Sequence, residues 1–202
     1  MPAASPTPPI QGPRLQLRDW RPADLPRLAD LLDPARPWHT TNGPYFGTPT
    51  AAQTQEELRR FSALAATPGT GLPTPRTMLA IEAGGVLIGA VTWYWESQET
   101  DWRRMGVVLQ DEAYWGRGLG TEAMALWTSY LFGSTDALRL DFATYSGNPG
   151  MIAIGLTLGF VEEARFRRAR RWAGGVHDSV VMGLLREEWE QRRSAWPTAA
   201  GT

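Results

Sequence analysis

At 202 residues, 43% of them hydrophobic, the chain has enough material for one domain with a sizeable core. A net charge of -1 and a pI near 6.1 give no global field to attract nucleic acid or a membrane surface, and no apolar stretch approaches bilayer-spanning length. The absence of cysteine excludes disulfides, thiolate metal sites and a cysteine nucleophile, and with His39 and His177 as its two histidines the chain is not expected to hold a metal. None of the 20 basic residues is lysine, so the protein cannot modify lysine side chains of its own. The N-terminus lacks a charged segment followed by an apolar run, and a cytoplasmic protein is expected.

Residues 1–13, rich in Pro, Ala, Ser and Thr, read as a disordered leader, followed by a single domain over 14–190 and a flexible tail over 191–202. Arg14 to Arg18 alternates with period two and predicts a first strand, and Ala23 to Leu32 a helix capped by Asp19 or Asp24. The irregular stretch with Trp38, His39, Asn42, Tyr45 and Phe46 either lines a pocket or covers the core. A second helix is predicted over Gln55 to Ala66, then a turn-rich connector over Pro68 to Pro75. Thr77 to Glu82 and Val86 to Trp95 are strands joined at Ala83-Gly84-Gly85, and Trp102 to Gln110 returns as a third.

Trp115-Gly116-Arg117-Gly118-Leu119-Gly120-Thr121 then leads into a helix over Gly118 to Phe132, followed by a strand over Leu138 to Thr144. Strand, glycine turn, helix and strand make a crossover and hence a parallel pair. A helix over Met151 to Leu158 ends at Gly159, and Phe160 to Trp172 with His177 to Leu185 forms a closing hairpin. Glu187 to Arg193 reads as a short polar helix.

Three glycines in five positions let backbone amides approach a ligand, and a helix N-terminus behind them suits a phosphate; Arg117 adds a matched charge. The same spacing also serves tight packing alone. No Gly-Lys-Ser/Thr follows, and the third glycine comes one residue early for a dinucleotide fingerprint.

The run Gly106-Val107-Val108-Leu109-Gln110 through Trp115-Gly116-Arg117-Gly118-Leu119-Gly120-Thr121-Glu122-Ala123 resembles the acetyl-CoA motif of the GNAT N-acetyltransferases, most closely the RimJ/RimL-like branch. Asn148, Leu158-Gly159-Phe160, Glu163, Arg165, Arg167, His177-Asp178 and Met182-Gly183-Leu184-Leu185 follow that branch's closing pattern. The resemblance implies an α/β fold whose mostly antiparallel mixed sheet is splayed at one parallel strand pair and flanked by helices. It also implies acetyl-CoA as co-substrate, with an acetyl group moved to a primary amine by direct attack in a ternary complex. In that scheme the 107–110 strand bulges. Backbone groups of Val108, Leu109 and Gln110 hold the pantetheine arm, with one amide as oxyanion donor. Trp115, Gly116, Arg117, Gly118, Leu119, Gly120 and Thr121 hold the pyrophosphate, and Asn148 contacts the cofactor, caps a helix, or does both. The acceptor implied first is a protein N-terminal α-amine, with a polyamine or small amino compound behind it. A homodimer is compatible with the sequence, and no nucleic-acid or membrane partner is expected.

The chain departs from the family at its proton donors: Met151 stands where some members carry serine, and Gly155 where many carry tyrosine. Tyr145 is the substitute donor, and the base is sought among Glu96, Tyr94, Asp101 and His39. A catalytically weak acyl-CoA-binding module is therefore the rival reading. A nucleic-acid binder built on Arg165 to Arg171 stands behind it, although period-two arginines on a hairpin usually mean a solvated strand face.

Overall fold

The computed structural model describes residues 6–67 and 69–196. Eight strands form one sheet: β1 (Ile10–Gln11), β2 (Gln16–Arg18), β3 (Met78–Ala83), β4 (Val86–Ser97), β5 (Trp102–Leu109), β6 (Arg139–Tyr145), β7 (Val161–Trp172) and β8 (Gly175–Leu185). Their spatial order is β1-β2-β3-β4-β5-β6-β8-β7, and every neighbouring pair is antiparallel except β5 and β6. The helices are α1 (Leu25–Leu31), α2 (Ala51–Ala66), α3 (Leu119–Ser134), α4 (Pro149–Leu158) and α5 (Arg186–Arg192).

The alternation of strand side chains divides the core in two. On one face Leu17, Ile81, Val91, Trp93 and Met105 pack against α3, whose Ala123, Leu126, Trp127, Tyr130 and Leu131 are buried. On the other, Ala80, Leu87 and Ala90 meet Leu28 and Leu31 of α1 and Phe61 of α2, with Trp20 and Trp38 closing the edges. The elements expected between Thr77 and Leu185 all form, with ends moved by at most three residues.

The differences lie at the margins. Ile10–Gln11 is not disordered leader: it pairs with β2, and Ile10 is buried against Leu17. Residues 1–5 of that leader lie outside the described residues. The C-terminal tail is likewise ordered through Trp196, which is buried in the core, while residues 197–202 lie outside the description. Residue 68 of the connector lies outside it as well. Asp24 stands at the N-cap of α1, but its side chain makes no cap bond there. Its carboxylate takes two bonds from Arg18 and the Arg21 amide, while Asp19 pairs with Arg76. α2 begins at Ala51, four residues early, because Thr50 and Gln53 form a reciprocal capping box.

Two features position the site. β5 and β6 pair only at Arg103↔Leu140 and Arg104↔Asp141, then separate towards their C-terminal ends. The register of β5 on β4 is continuous from Gly89↔Leu109 to Trp93↔Met105, and the irregularity comes at the end of the strand, where the Gln110 and Asp111 amides both donate to the Ile88 carbonyl. Against β3, β4 also carries an extra residue, Ile88, between the pairs Ile81↔Gly89 and Glu82↔Leu87. Gly89 lets the strands close up there, since a Cβ would fall 2.1 Å from the Val108 carbonyl oxygen.

Candidate active site

The splay opens a slot of about 570 Å³, walled by Met105 to Leu109 of β5, Phe142 to Tyr145 of β6, the glycine turn, and α4 from Asn148 to Thr157. In the turn, Gly116 and Gly118 take φ of +69° and +75°, and Gly118 is the N-cap of α3. A glycine cap offers no side-chain oxygen, so no side chain satisfies the first amides of α3, and they border the slot. Nothing lies within 4 Å of a Cβ built on Gly116. An open cradle of amides at the positive end of a 16-residue helix fits a phosphate group.

The turn is tied to the connection between β1 and β2. Glu122, buried in the first turn of α3, accepts from the Arg14 amide (2.8 Å), the Leu15 amide (3.2 Å) and Arg14 Nε (2.7 Å). Arg14 in turn donates to the Arg117 carbonyl at 2.7 Å, so one carboxylate fixes the height of the turn above the sheet. Sequence reading gave Arg14 and Glu122 no such role, because 108 residues separate them. The Arg117 side chain itself is exposed and lies over Tyr114 rather than inside the slot.

Backbone polarity along β5 is set by its pairing. The Gln110 amide donates to the Ile88 carbonyl at 2.8 Å, so Gln110 turns its backbone to β4, and alternation turns Val108 the same way. Val107 and Leu109 therefore direct their backbone groups to the side that β6 has vacated, and Trp115 Nε1 confirms this by donating to the Leu109 carbonyl at 2.8 Å. Of the three backbone positions expected on this strand, only Leu109 faces the slot, and Val107 joins it.

Asn148 and Tyr145 come together on the opposite wall. Asn148 Oδ1 caps α4 by accepting from the Met151 amide, and its Nδ2 donates to the Thr41 carbonyl at 3.1 Å. Tyr145 Oη donates to the Thr40 carbonyl at 3.0 Å, and burial pushes its phenol above the ordinary value. Met151 also lines the slot. Gly155 is fixed by packing: a Cβ there would stand 2.7 Å from Phe142 Cζ and 2.9 Å from Met182 Sδ, leaving no room for a tyrosine.

A second cavity, of about 480 Å³, lies under α2 on the other face of the sheet and shares Asn42, Gly106, Val107 and Val108 with the slot. Trp38, Phe61 and Met78 give it apolar walls, and His39, Thr54, Glu57 and Gln110 supply polar groups. His39 is the one proposed base that reaches it. Its Nε2 lies 3.2 Å from the Asp33 carbonyl, which can only accept, so Nε2 carries the hydrogen and Nδ1 is bare in the neutral ring. Burial lowers the His39 pKa, outweighing hydrogen bonds to the Asp33 and Leu32 backbone and the charge of Asp33. Glu96, Tyr94 and Asp101 are placed elsewhere. Glu96 shares a strand face with Thr92 of the cavity but stands four residues on, roughly 13 Å along β4, and pairs with Arg104 at 2.8 Å. Tyr94 is exposed, and Asp101 pairs with Arg103 in the β4–β5 turn.

The family described as Acetyltransferase (GNAT) domain matches residues 14–161. The chain belongs to the GNAT acetyltransferases. It is an N-acetyltransferase with acetyl-CoA as co-substrate, as the resemblance of its glycine turn and closing segment implied. Over 191 residues this acetyltransferase is 26% identical to a Bacillus subtilis protein named "Putative ribosomal N-acetyltransferase YdaF", covering 87% of this chain and 93% of that one. Among solved structures it resembles RimL, a ribosomal L7/L12 alpha-N-protein acetyltransferase in complex with coenzyme A, with a TM-score of 0.67 and 17% identity over 87% of this chain and 96% of that one. Spermidine N-acetyltransferase from Vibrio cholerae, in complex with CoA and spermine, has the same TM-score and identity over 88% of this chain and 98% of its own. These two likenesses establish the fold, a mixed sheet with one parallel pair. Among the described residues no helix is long and apolar enough to cross a membrane.

Proposed function

We propose that this acetyltransferase acetylates a primary amine held in the second cavity, with a protein N-terminal α-amine favoured over a polyamine or other small amino compound, in the cytoplasm. The meeting of the two cavities across Gly106 to Val108 carries the reading, because an amine on one side of β5 reaches a thioester laid along the other. Acetyl-CoA supplies the activated acetyl group. The α3 amides from Gly118 to Thr121, with Gly116, the Thr121 hydroxyl and Arg117 swung inward, hold its phosphates. The Val107 and Leu109 backbone groups extend the sheet to its pantetheine arm. A slot-facing amide on this strand also stabilises negative charge on the thioester oxygen, a contribution of about 3 kcal/mol for one such donor.

His39, neutral at pH 7 and bare at Nδ1, accepts the amine's proton directly or through one water. Tyr145 and Asn148 act as anchors, since their donors are engaged by the carbonyls of Thr40 and Thr41. The departing thiolate takes its proton from water. Calorimetric titration of acetyl-CoA tests the slot: micromolar binding by the wild type and its loss in Gly118→Trp are expected. Thiol release from acetyl-CoA with peptide and polyamine acceptors tests the transfer. A folded wild type that binds acetyl-CoA but releases no thiol with any amine would leave only the acyl-CoA-binding role.

A further inference from the structure

We infer that Gln110 reads an amide N–H beside the acceptor amine, so that the second cavity selects an α-amino amide with a large apolar first side chain over a polyamine. The inference rests on the assignment of that cavity to the acceptor and narrows its substrate class.

Gln110 is 4% exposed, and its Oε1 is buried without a hydrogen-bond partner. Thr54 Oγ1, across the same cavity, is buried and unpartnered too. Buried polar side chains are hydrogen-bonded in the great majority of cases, and leaving one unmet is unfavourable by about 1–3 kcal/mol. Both residues belong to the lining of one cavity, so a ligand that offers them a hydrogen bond there would satisfy them.

The chemistry of the walls selects the donor. Gln110 and Thr54 are neutral, and around them stand Leu32, Trp38, Phe61 and Met78. A second ammonium group would be stripped of water there with no charge opposite it, whereas an amide N–H loses little and satisfies Oε1. The sole carboxylate of the lining, Glu57, is over one-third exposed at the rim, with Arg60 3.7 Å away. An apolar side chain fills the remaining volume, which lies within the range of small-ligand sites.

L-Phenylalaninamide and phenethylamine share a ring and a primary amine and differ in the carboxamide. Each is titrated, with spermidine as the polycation, into the wild type, Gln110→Leu and Thr54→Val, with and without CoA. Wild type is expected to hold phenylalaninamide at least ~10-fold more tightly than phenethylamine, the equivalent of one net hydrogen bond. Gln110→Leu removes that preference while keeping phenethylamine affinity, and Thr54→Val reduces it in part. Equal affinities in wild type, a preference surviving in Gln110→Leu, tighter binding of spermidine, or no binding of phenylalaninamide would each overturn the inference. Acetyl-CoA titration of the same proteins reads the cofactor slot separately, so either result can fail while the other stands.

Discussion

Glu122→Ala is the sharpest test of how the cofactor turn is held. The substitution strips three hydrogen bonds at once, from the Arg14 amide, the Leu15 amide and Arg14 Nε. Arg14 is 53% exposed along its side chain, so its ion pair with Glu122 contributes under about 1 kcal/mol after solvent screening. The amides matter more. The Leu15 bond is buried and the Arg14 one partly so, and leaving both unmet is unfavourable by about 1–3 kcal/mol each. The expected loss is roughly 3–5 kcal/mol in urea unfolding. Glu122→Gln keeps an acceptor for the amides and should lose about half as much. Because Arg14 also holds the Arg117 carbonyl, both variants should bind acetyl-CoA more weakly at temperatures where they remain folded. A Glu122→Ala protein within about 1 kcal/mol of wild type in urea unfolding would refute the argument that these bonds carry the turn.

His39→Gln should lower kcat by about 100-fold, the low end for a proton-transfer group. It should also remove an acid limb in the kcat–pH profile. That limb lies below the ordinary histidine range, because the lowered pKa keeps the ring deprotonated further down, and activity falls only when it is protonated. An unchanged profile in the variant would remove His39 as the base. Glu96→Gln should leave kcat within about twofold of wild type, since its carboxylate serves Arg104; a hundredfold loss in steady-state assays would return it to the mechanism. Gly155→Ala should destabilise by about 1–3 kcal/mol through overpacking against Phe142 and Met182, read from the thermal midpoint.

The parallel pair, the glycine turn and the closing hairpin were legible in the sequence because each is a local pattern. Gly116 and Gly118 need left-handed backbone, and a strand and a helix flank them. What the sequence could not show is which end of a strand, and which side of its backbone, meets the site. Period two puts Thr92, Tyr94 and Glu96 on one face but does not say that the cavity stops at Thr92. Likewise, Gln110 turns its backbone to the Ile88 carbonyl and Val108 follows by alternation, so that Val107 and Leu109 present their backbone groups to the slot. Proline and alanine in the leader obscured Ile10, whose burial depends on a partner at Leu17. The latch between Arg14 and Glu122 joins the start of the domain to its middle, and neither residue carries a local signal of it.

The segment from Thr40 to Tyr45 ties these observations to the order of events. Tyr145 and Asn148 hold its carbonyls, Tyr45 lines the slot, and Asn42 belongs to the walls of both cavities. Whatever free energy acetyl-CoA gains by settling this segment is returned to the amine as tighter binding, and by the same factor in the other direction. With the amine in the second cavity, as proposed, the two substrates are linked through a strip of backbone that borders both cavities.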